Sequence, residues 1–372
     1  MATRISKPAF NIGQKLSELD LPVGTNGSQL LKSADAAESF VLTQAGRRNL
    51  VINGNPIIYQ RGRTATDHGV YNYFTADRWR TSSNGSYTKT GQFDQEVVLD
   101  QSIPGIGGKV NYIKYTNTSA ATGISGASWG MNYRIENKDV APYLGKVMTL
   151  SCYMKSDEGI EIRSGFISGT TSSSIPLVAV GDPKTYVTLT PEWKRYTWTF
   201  TLGNTLPSTH MDIGLRIQVD KAGSVCYTCL QFEEGNVATP FEFRSYAEEL
   251  ALCERYCQKY GEGWWFTAYH RGAGYSEYGY GMLPHRTTML KAPSVAAYGD
   301  NLHGYRYVPG GYRTAQLGSG RTESHIVLSG TGSTQMSSVR IQWQSGHGWS
   351  NDDIVHYMSQ NEDTFLILSG EL

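Results

Sequence analysis

Tyr196-Thr-Trp-Thr-Phe-Thr-Leu202 decides the reading of this chain. Large apolar residues occupy every second position and threonines fill the gaps. A period of two places Tyr196, Trp198, Phe200 and Leu202 on one face of a strand and the threonines on the other. Ile213-Gly-Leu-Arg-Ile-Gln-Val219 and Met148-Thr-Leu-Ser-Cys-Tyr-Met154 alternate in the same way. Clusters of Gly, Ser and Asn separate these runs and supply turns. Half-buried strands joined by turns predict a sandwich or jelly roll over residues 49–243.

Downstream, Ser245-Tyr-Ala-Glu248 has the spacing of a capping box, in which the Ser oxygen accepts from the backbone amide three residues on. Leu250, Cys253, Cys257 and Tyr260 then recur at helical intervals, and Gly261 is a stop signal. This predicts one helix over 245–260, inside a linker of 244–261. Residues 262–372 return to a β pattern rich in Gly and Tyr, with good strands at Val339-Arg-Ile-Gln-Trp343 and Thr364-Phe-Leu-Ile-Leu368. Residues 1–48 hold few large apolar side chains and cannot bury a core alone. They read as an arm, with a short helix near Asp35 capped by the Asp35/Glu38 spacing. The expected fold is therefore all-β: two β-sandwich, jelly-roll-like domains joined by one short helix, with an extended N-terminal arm.

The chain balances 33 basic against 33 acidic residues, and no basic run exceeds Arg47-Arg48. Nucleic acid is not an expected partner, because its binders carry a basic patch or stripe. No apolar run approaches the roughly 20 residues that span a bilayer, and the first residues lack the apolar core of a signal peptide. Membrane insertion is not expected, and the product stays in the cytoplasm where it is made unless a particle carries it out. The five cysteines are Cys152, Cys226, Cys229, Cys253 and Cys257. Cys226 and Cys229 have C-x-x-C spacing but lie in a strand-like run, where residues three apart face opposite ways about 10 Å apart. A disulfide needs Cα atoms within about 7 Å, so reduced, packed thiols are expected.

Several segments resemble tail-fibre and spike-type structural proteins of tailed bacteriophages. Asn49-Leu-Val-Ile-Asn-Gly-Asn55 with Tyr59-Gln-Arg-Gly62 resembles their domain opening, and Thr75-Ala-Asp-Arg-Trp79 is its companion segment. Pro56-Ile-Ile58 departs from that opening, which usually carries an aromatic or acidic residue there. Gly145 to Ser156 and Trp193-Lys-Arg-Tyr196 resemble strands of carbohydrate-binding jelly rolls. The most specific match is Leu230-Gln-Phe-Glu-Glu-Gly-Asn-Val-Ala-Thr-Pro-Phe-Glu242, followed by Tyr246-Ala-Glu-Glu-Leu-Ala-Leu-Cys-Glu-Arg-Tyr256. Met289-Leu-Lys-Ala-Pro293 resembles the segment that follows. The resemblance implies a virion protein, a homotrimeric fibre or spike subunit that meets a host surface glycan or protein. The arm would join it to other tail or capsid proteins. A capsid-decorating or cement protein is the alternative, and a glycan-hydrolysing tailspike stands third. The related jelly rolls often hold a structural calcium. Glu233 and Glu234 could contribute, but calcium takes six to eight oxygens and no such set assembles, so no metal or cofactor is expected.

Catalytic motifs are missing. Gly105-Ile-Gly-Gly-Lys109 is too short for a phosphate-binding loop and reads as a turn. Gly165-Phe-Ile-Ser-Gly169 misses the nucleophile-elbow spacing by one residue, and Asp352-Asp353 reads as a polar turn. The chain is read as a non-enzyme. The functional lead is aromatic: Trp264-Trp265-Phe266, Tyr269, Tyr275, Tyr278, Tyr280, Tyr305, Tyr307 and Tyr312 crowd a Gly-rich region. Flat rings with a polar rim suit sugars and flat recognition surfaces, although strands also use such rings as core. Tyr275, Tyr278, Tyr280, Tyr305 and Tyr307 are the candidate binding residues. Residues 271–281 are expected to form a surface loop.

Overall fold

The computed structural model describes residues 47–67, 73–88, 91–167, 187–218, 220–261, 265–270, 278–298, 302–308, 311–316, 326–328, 336–342, 354–359 and 366–371. The chain divides into two compact units, Met1–Arg48 and Asn49–Leu372. Almost all of the expected arm, with its helix near Asp35, lies outside the described residues, as do Asp352 and Asp353.

The second unit is an all-β sandwich fold. Its first strands are β1 (Thr64–Ala65), β2 (Trp79–Thr88), β3 (Phe93–Ser102), β4 (Lys109–Asn117), β5 (Thr122–Glu136), β6 (Val147–Lys155), β7 (Glu161–Ile167), β8 (Val187–Thr188), β9 (Lys194–Thr201), β10 (His210–Gln218) and β11 (Gly223–Glu234). They form an antiparallel six-stranded sheet, ordered β1-β3-β4-β11-β6-β9, and a five-stranded sheet, ordered β2-β5-β10-β7-β8. A short helix α1 (Asn137–Val140) and a 3-10 turn (Ala141–Tyr143) connect β5 to β6. The expected alternation holds in β9: Tyr196, Trp198, Phe200 and Leu202 are buried, while Thr197 is exposed and Thr199 and Thr201 are half-buried. These rings meet Met148, Leu150, Phe232 and Tyr227 of their own sheet and Met131, Tyr133, Ile213 and Leu215 of the other in one core. β6 is buried on both faces, because residues 235–239 cross its outer side. There Thr149 donates to the Gly235 carbonyl at 2.7 Å, and Arg195 binds the Ser151 hydroxyl and the Ala238 and Thr239 carbonyls.

The remaining elements are helix α2 (Tyr246–Glu254) and strands β12 (Cys257–Tyr260), β13 (Trp265–His270), β14 (Tyr278–Pro284), β15 (Ser294–Tyr298), β16 (Leu302–Val308), β17 (Gly311–Gln316), β18 (Ile326–Leu328), β19 (Met336–Gln342), β20 (Ile354–Ser359) and β21 (Leu366–Ser369). They build a three-stranded sheet, β12-β21-β15, and a seven-stranded sheet, β17-β16-β20-β13-β14-β19-β18. Ser245 caps α2 through its hydroxyl and the Glu248 amide, 3.3 Å apart. The helix is shorter than the expected 245–260. It stops at Glu254, and Cys257–Tyr260 is extended because its backbone pairs with Leu366–Ser369. Helical spacing at Cys257 and Tyr260 is thus overridden by a partner more than a hundred residues away.

The segments that carried the family resemblance are knotted together. The Asn49 side chain accepts from the Val51 and Phe232 amides and donates to the Leu230 carbonyl. Asn53, at φ +58°, donates to the Ile58 and Asp77 carbonyls and accepts from the Ile58 amide, and its own amide reaches Glu249 of α2 at 2.7 Å. Gly54 passes so close to β11 that a Cβ there would sit 2.3 Å from the Leu230 carbonyl oxygen. Arg244 ties the Asn49 and Val51 carbonyls to Glu249. Pro56 takes part through its carbonyl, which accepts from the Asn111 amide group at 3.1 Å.

A second, charged junction lies beside it. Glu371 accepts from Arg78 at 2.5 Å and from Arg61 at 3.2 Å, and Arg61 also reaches Asp77 at 3.5 Å. The Arg78 guanidinium donates to the Arg134 carbonyl and stacks on the Tyr256 ring, 3.5 Å from its centroid. Burial pushes the Asp77 carboxyl up to about 6, against the pull of Arg61 and Gln60. Glu136 is held below the usual carboxylate range: burial opposes its charge, but hydrogen bonds from Arg255 and Tyr256 outweigh it.

All five cysteines are buried and free. β11 carries a bulge between Thr228 and Gln231, with Cys229 at φ +52°, so the even alternation expected across Cys226 and Cys229 is broken there. Burial pushes the Cys226 thiol up to about 11 and the Cys229 thiol to about 12. The Gly105–Lys109 segment turns into β4, with Gly105 and Gly108 at φ +84° and +91°.

Candidate recognition face on the seven-stranded sheet

Tyr278 and Tyr280 do not belong to a loop. They lie in β14, where Tyr278-Gly-Tyr-Gly-Met282 alternates ring and glycine with the strand period. Residues 278–281 are therefore strand rather than the expected loop, and Tyr275 lies outside the described residues. Tyr305 and Tyr307 lie in β16. What unites these positions is register. Tyr280 pairs with Tyr269 of β13, and Tyr269 pairs with Ile354 of β20. Tyr305 pairs with His356, which pairs in turn with Thr267. Tyr307 pairs with Tyr312 across the β16–β17 hairpin. Directly opposed residues share a face, as do residues two apart on a strand. Tyr269, Tyr278, Tyr280, Tyr305, Tyr307 and Tyr312 therefore all occupy one face of the seven-stranded sheet.

The other face takes Phe266, Val355, Tyr357, Val339, Ile341, Ile326 and Leu328, together with His270 and the directly paired Arg306 and Arg313. At the end of β14 the two faces differ. Met282, on the tyrosine face, is 52% exposed, whereas Leu283, on the opposite face, is 3% exposed. That end is anchored to β12 by the Tyr260 hydroxyl, which donates to the Pro284 carbonyl at 3.1 Å. Pairings Tyr280–Arg340, Met282–Ser338 and Tyr278–Gln342 add a cation and two polar positions to the tyrosine face. His303, opposite Met358 and Gln316, joins them with His356. No Asp or Glu occupies a described strand position on this face. Tyr269 and Tyr312 stood in the aromatic cluster of the sequence. Arg340 and His356 were not singled out, since only the register brings them to the tyrosines.

Glu233, considered for calcium, is fully buried and already engaged: it accepts from the Thr239 amide and hydroxyl and from the Gln231 side chain. Among the described residues, no group of three or more His, Cys, Asp and Glu is placed to hold a metal ion. No helix among them is long and apolar enough to cross a membrane.

By sequence the chain matches no protein-family model and no curated protein. Its structural neighbours include carbohydrate-binding modules, a phage tailspike domain and an arabinofuranosidase. The enzymatically active domain of tailspike protein 4 from bacteriophage CBA120 aligns at 12% identity and a TM-score of 0.33, covering 50% of this chain and 21% of the tailspike domain. A family 4 carbohydrate-binding module aligns at 14% identity and a TM-score of 0.27, covering 50% of this chain and all of the module. A tandem family 22 module from a Paenibacillus barcinonensis xylanase aligns at 14% identity and a TM-score of 0.26, covering 78% of this chain and 93% of the tandem.

Proposed function

We propose that this chain is a structural subunit of a tailed-phage particle, a fibre or spike that recognises a host surface glycan through the tyrosine face. The observation that carries the reading is the register that gathers six tyrosines on one face, with Met282 exposed beside them. Tyrosines give large, stiff contact area at low entropic cost, with a hydroxyl to hydrogen-bond at the rim. The phage-fibre resemblance of residues 49–295 supplies the particle context. The chain is read as recognising its glycan rather than hydrolysing it. The subunit is read as a homotrimer whose arm, residues 1–48, joins the particle. The test is a glycan-array measurement on the full-length chain and a Tyr280→Ser/Tyr307→Ser variant. Wild type binds, and the variant loses binding with an unchanged melting curve. A wild type that binds no glycan, or a variant that binds equally well, refutes the proposal.

A further inference from the structure

We infer that the chain closes a covalent ring on itself: Thr239 attacks the side chain of Gln231 with Glu233 as the base, leaving a Thr–Gln ester where β11 leaves the six-stranded sheet. The bond is a self-modification of the sandwich and does not depend on what the tyrosine face binds.

The strand places the parts. Gln231 and Glu233 are two residues apart in β11, so their side chains share one face, and both are 0% exposed. The chain bends at Gly235, at φ +113°, and returns Thr239 over this pair, where the Thr239 backbone amide donates to Glu233 Oε1 at 2.9 Å. Thr239 Oγ1 donates to Glu233 Oε2 at 2.5 Å, the contact through which a carboxylate takes the proton of a hydroxyl nucleophile. The same Oγ1 lies 3.1 Å from Gln231 Nε2, so the carboxamide carbon is one bond beyond an atom already in contact. Gln231 Oε1 accepts from the Glu242 backbone amide at 2.8 Å, which polarises the carbonyl and sets a donor where negative charge develops. The nitrogen that leaves sits 2.7 Å from Glu233 Oε1 and faces the Thr239 and Pro240 carbonyls at 3.2 and 3.3 Å. Nucleophile, base, polarised carbonyl and leaving group thus meet in one turn, the arrangement that acyl transfer needs.

Glu233 takes the hydroxyl proton as Oγ1 adds to Gln231 Cδ, after a small tilt of the carboxamide. Charge gathers on Oε1 against the Glu242 amide. The C–N bond then breaks, and the nitrogen departs as ammonia with the proton that the Glu233 carboxyl carries. A C–O bond forms, a C–N bond is lost, the carboxylate is regenerated, and no oxidant, reductant or co-reactant enters. Burial of Gln231 and Glu233 keeps water from the acyl carbon and protects the ester from hydrolysis.

The experiment is mass spectrometry of the full-length chain after digestion. No Lys or Arg lies between Lys221 and Arg244, so trypsin releases residues 222–244 as one peptide that holds both partners. Its mass should be lower by one ammonia than its sequence requires. A further cut after Glu233 or Glu234 should open the ring without separating the halves, and hydroxylamine should then release them with a hydroxamate at Gln231. Thr239→Val and Glu233→Gln should restore the full mass in chains whose melting curves show them folded, and Thr239→Ser should keep the loss. A wild-type peptide of full mass overturns the ester whether or not the variants fold. So does a peptide that has lost ammonia but falls in two at Glu233 or Glu234, since the ammonia then came from another amide. A joined peptide in Thr239→Val overturns Thr239 as the nucleophile, and one in Glu233→Gln overturns Glu233 as the base.

Discussion

Replacing Glu371 by Gln probes the charged junction with almost no change of shape. The Glu371 carboxylate holds Arg78 at 2.5 Å and Arg61 at 3.2 Å, and the three side chains are 4%, 1% and 8% exposed. After the change Arg61 keeps Asp77. Arg78 keeps a carbonyl, the faces of Tyr256 and Tyr133 and at most the neutral amide oxygen of the new Gln. A buried cation is then left without its hydrogen-bonded carboxylate, and losing one member of such a pair costs about 3–5 kcal/mol. For a unit of this size each kcal/mol lowers Tm by about 2–4 °C, giving a fall of roughly 6–20 °C. The assay is thermal unfolding with a urea titration beside it. The cycle is closed by Arg78→Met and by the double variant Arg78→Met/Glu371→Gln. Once Arg78 is gone, the Glu371 change should cost much less, so the coupling should exceed about 1 kcal/mol. A single variant within about 0.5 kcal/mol of wild type, or a coupling near zero, would show that Glu371 does not hold Arg78 as described.

Gly54→Ala should destabilise by about 1–3 kcal/mol or more, because its Cβ meets a backbone carbonyl that cannot move aside; urea midpoints measure this. Two buried groups should oppose each other in acid. His210, pushed from 6.5 down to about 4 by burial and by Arg134 and Arg80, takes its proton earlier in the unfolded chain, so it removes stability as pH falls from about 6.5 to 4. Asp77, pushed from 3.8 up to about 6, takes its proton earlier in the folded chain and adds stability over nearly the same fall. Asp77→Asn should therefore steepen the acid-side loss of stability between pH 6.5 and 4, and an unchanged slope in urea titrations would refute the assignment. Light scattering of the full chain should give three times the 41.1 kDa subunit mass, and removal of residues 1–48 should leave a folded protein that no longer joins particles.

The sandwich was legible at Tyr196–Leu202 because one buried face writes its period directly into the sequence. The α2 cap was legible for a similar reason: Ser245 and Glu248 interact locally. The helix end was not, since Cys257 and Tyr260 satisfy a helical period while their backbones bond to β21. The tyrosines were visible as a cluster, and Tyr278-Gly-Tyr-Gly-Met282 carried a two-residue period, but its glycines made it read as loop. That Tyr269, Tyr280, Tyr307 and Tyr312 share one face depends on pairings among five strands, which no local pattern encodes. Nor does any local pattern bring Asn53 to Glu249 or Arg78 to Glu371.

The placement of β21 between β12 and β15 sets a clock on synthesis. About 106 residues separate Tyr260 from Leu366, and at translation rates of about 5–20 residues per second their emergence is separated by about 5–20 s. Through that interval β12 has left the ribosome with an edge that only β21 will cover, and Arg78 waits for the same stretch to deliver its carboxylate. The upstream sandwich draws its core from residues up to Phe232 and can close first, so the open β12 edge hangs from a folded body. A nascent chain stalled before residue 366 should thus be captured by chaperones that bind exposed strands, and released when translation resumes.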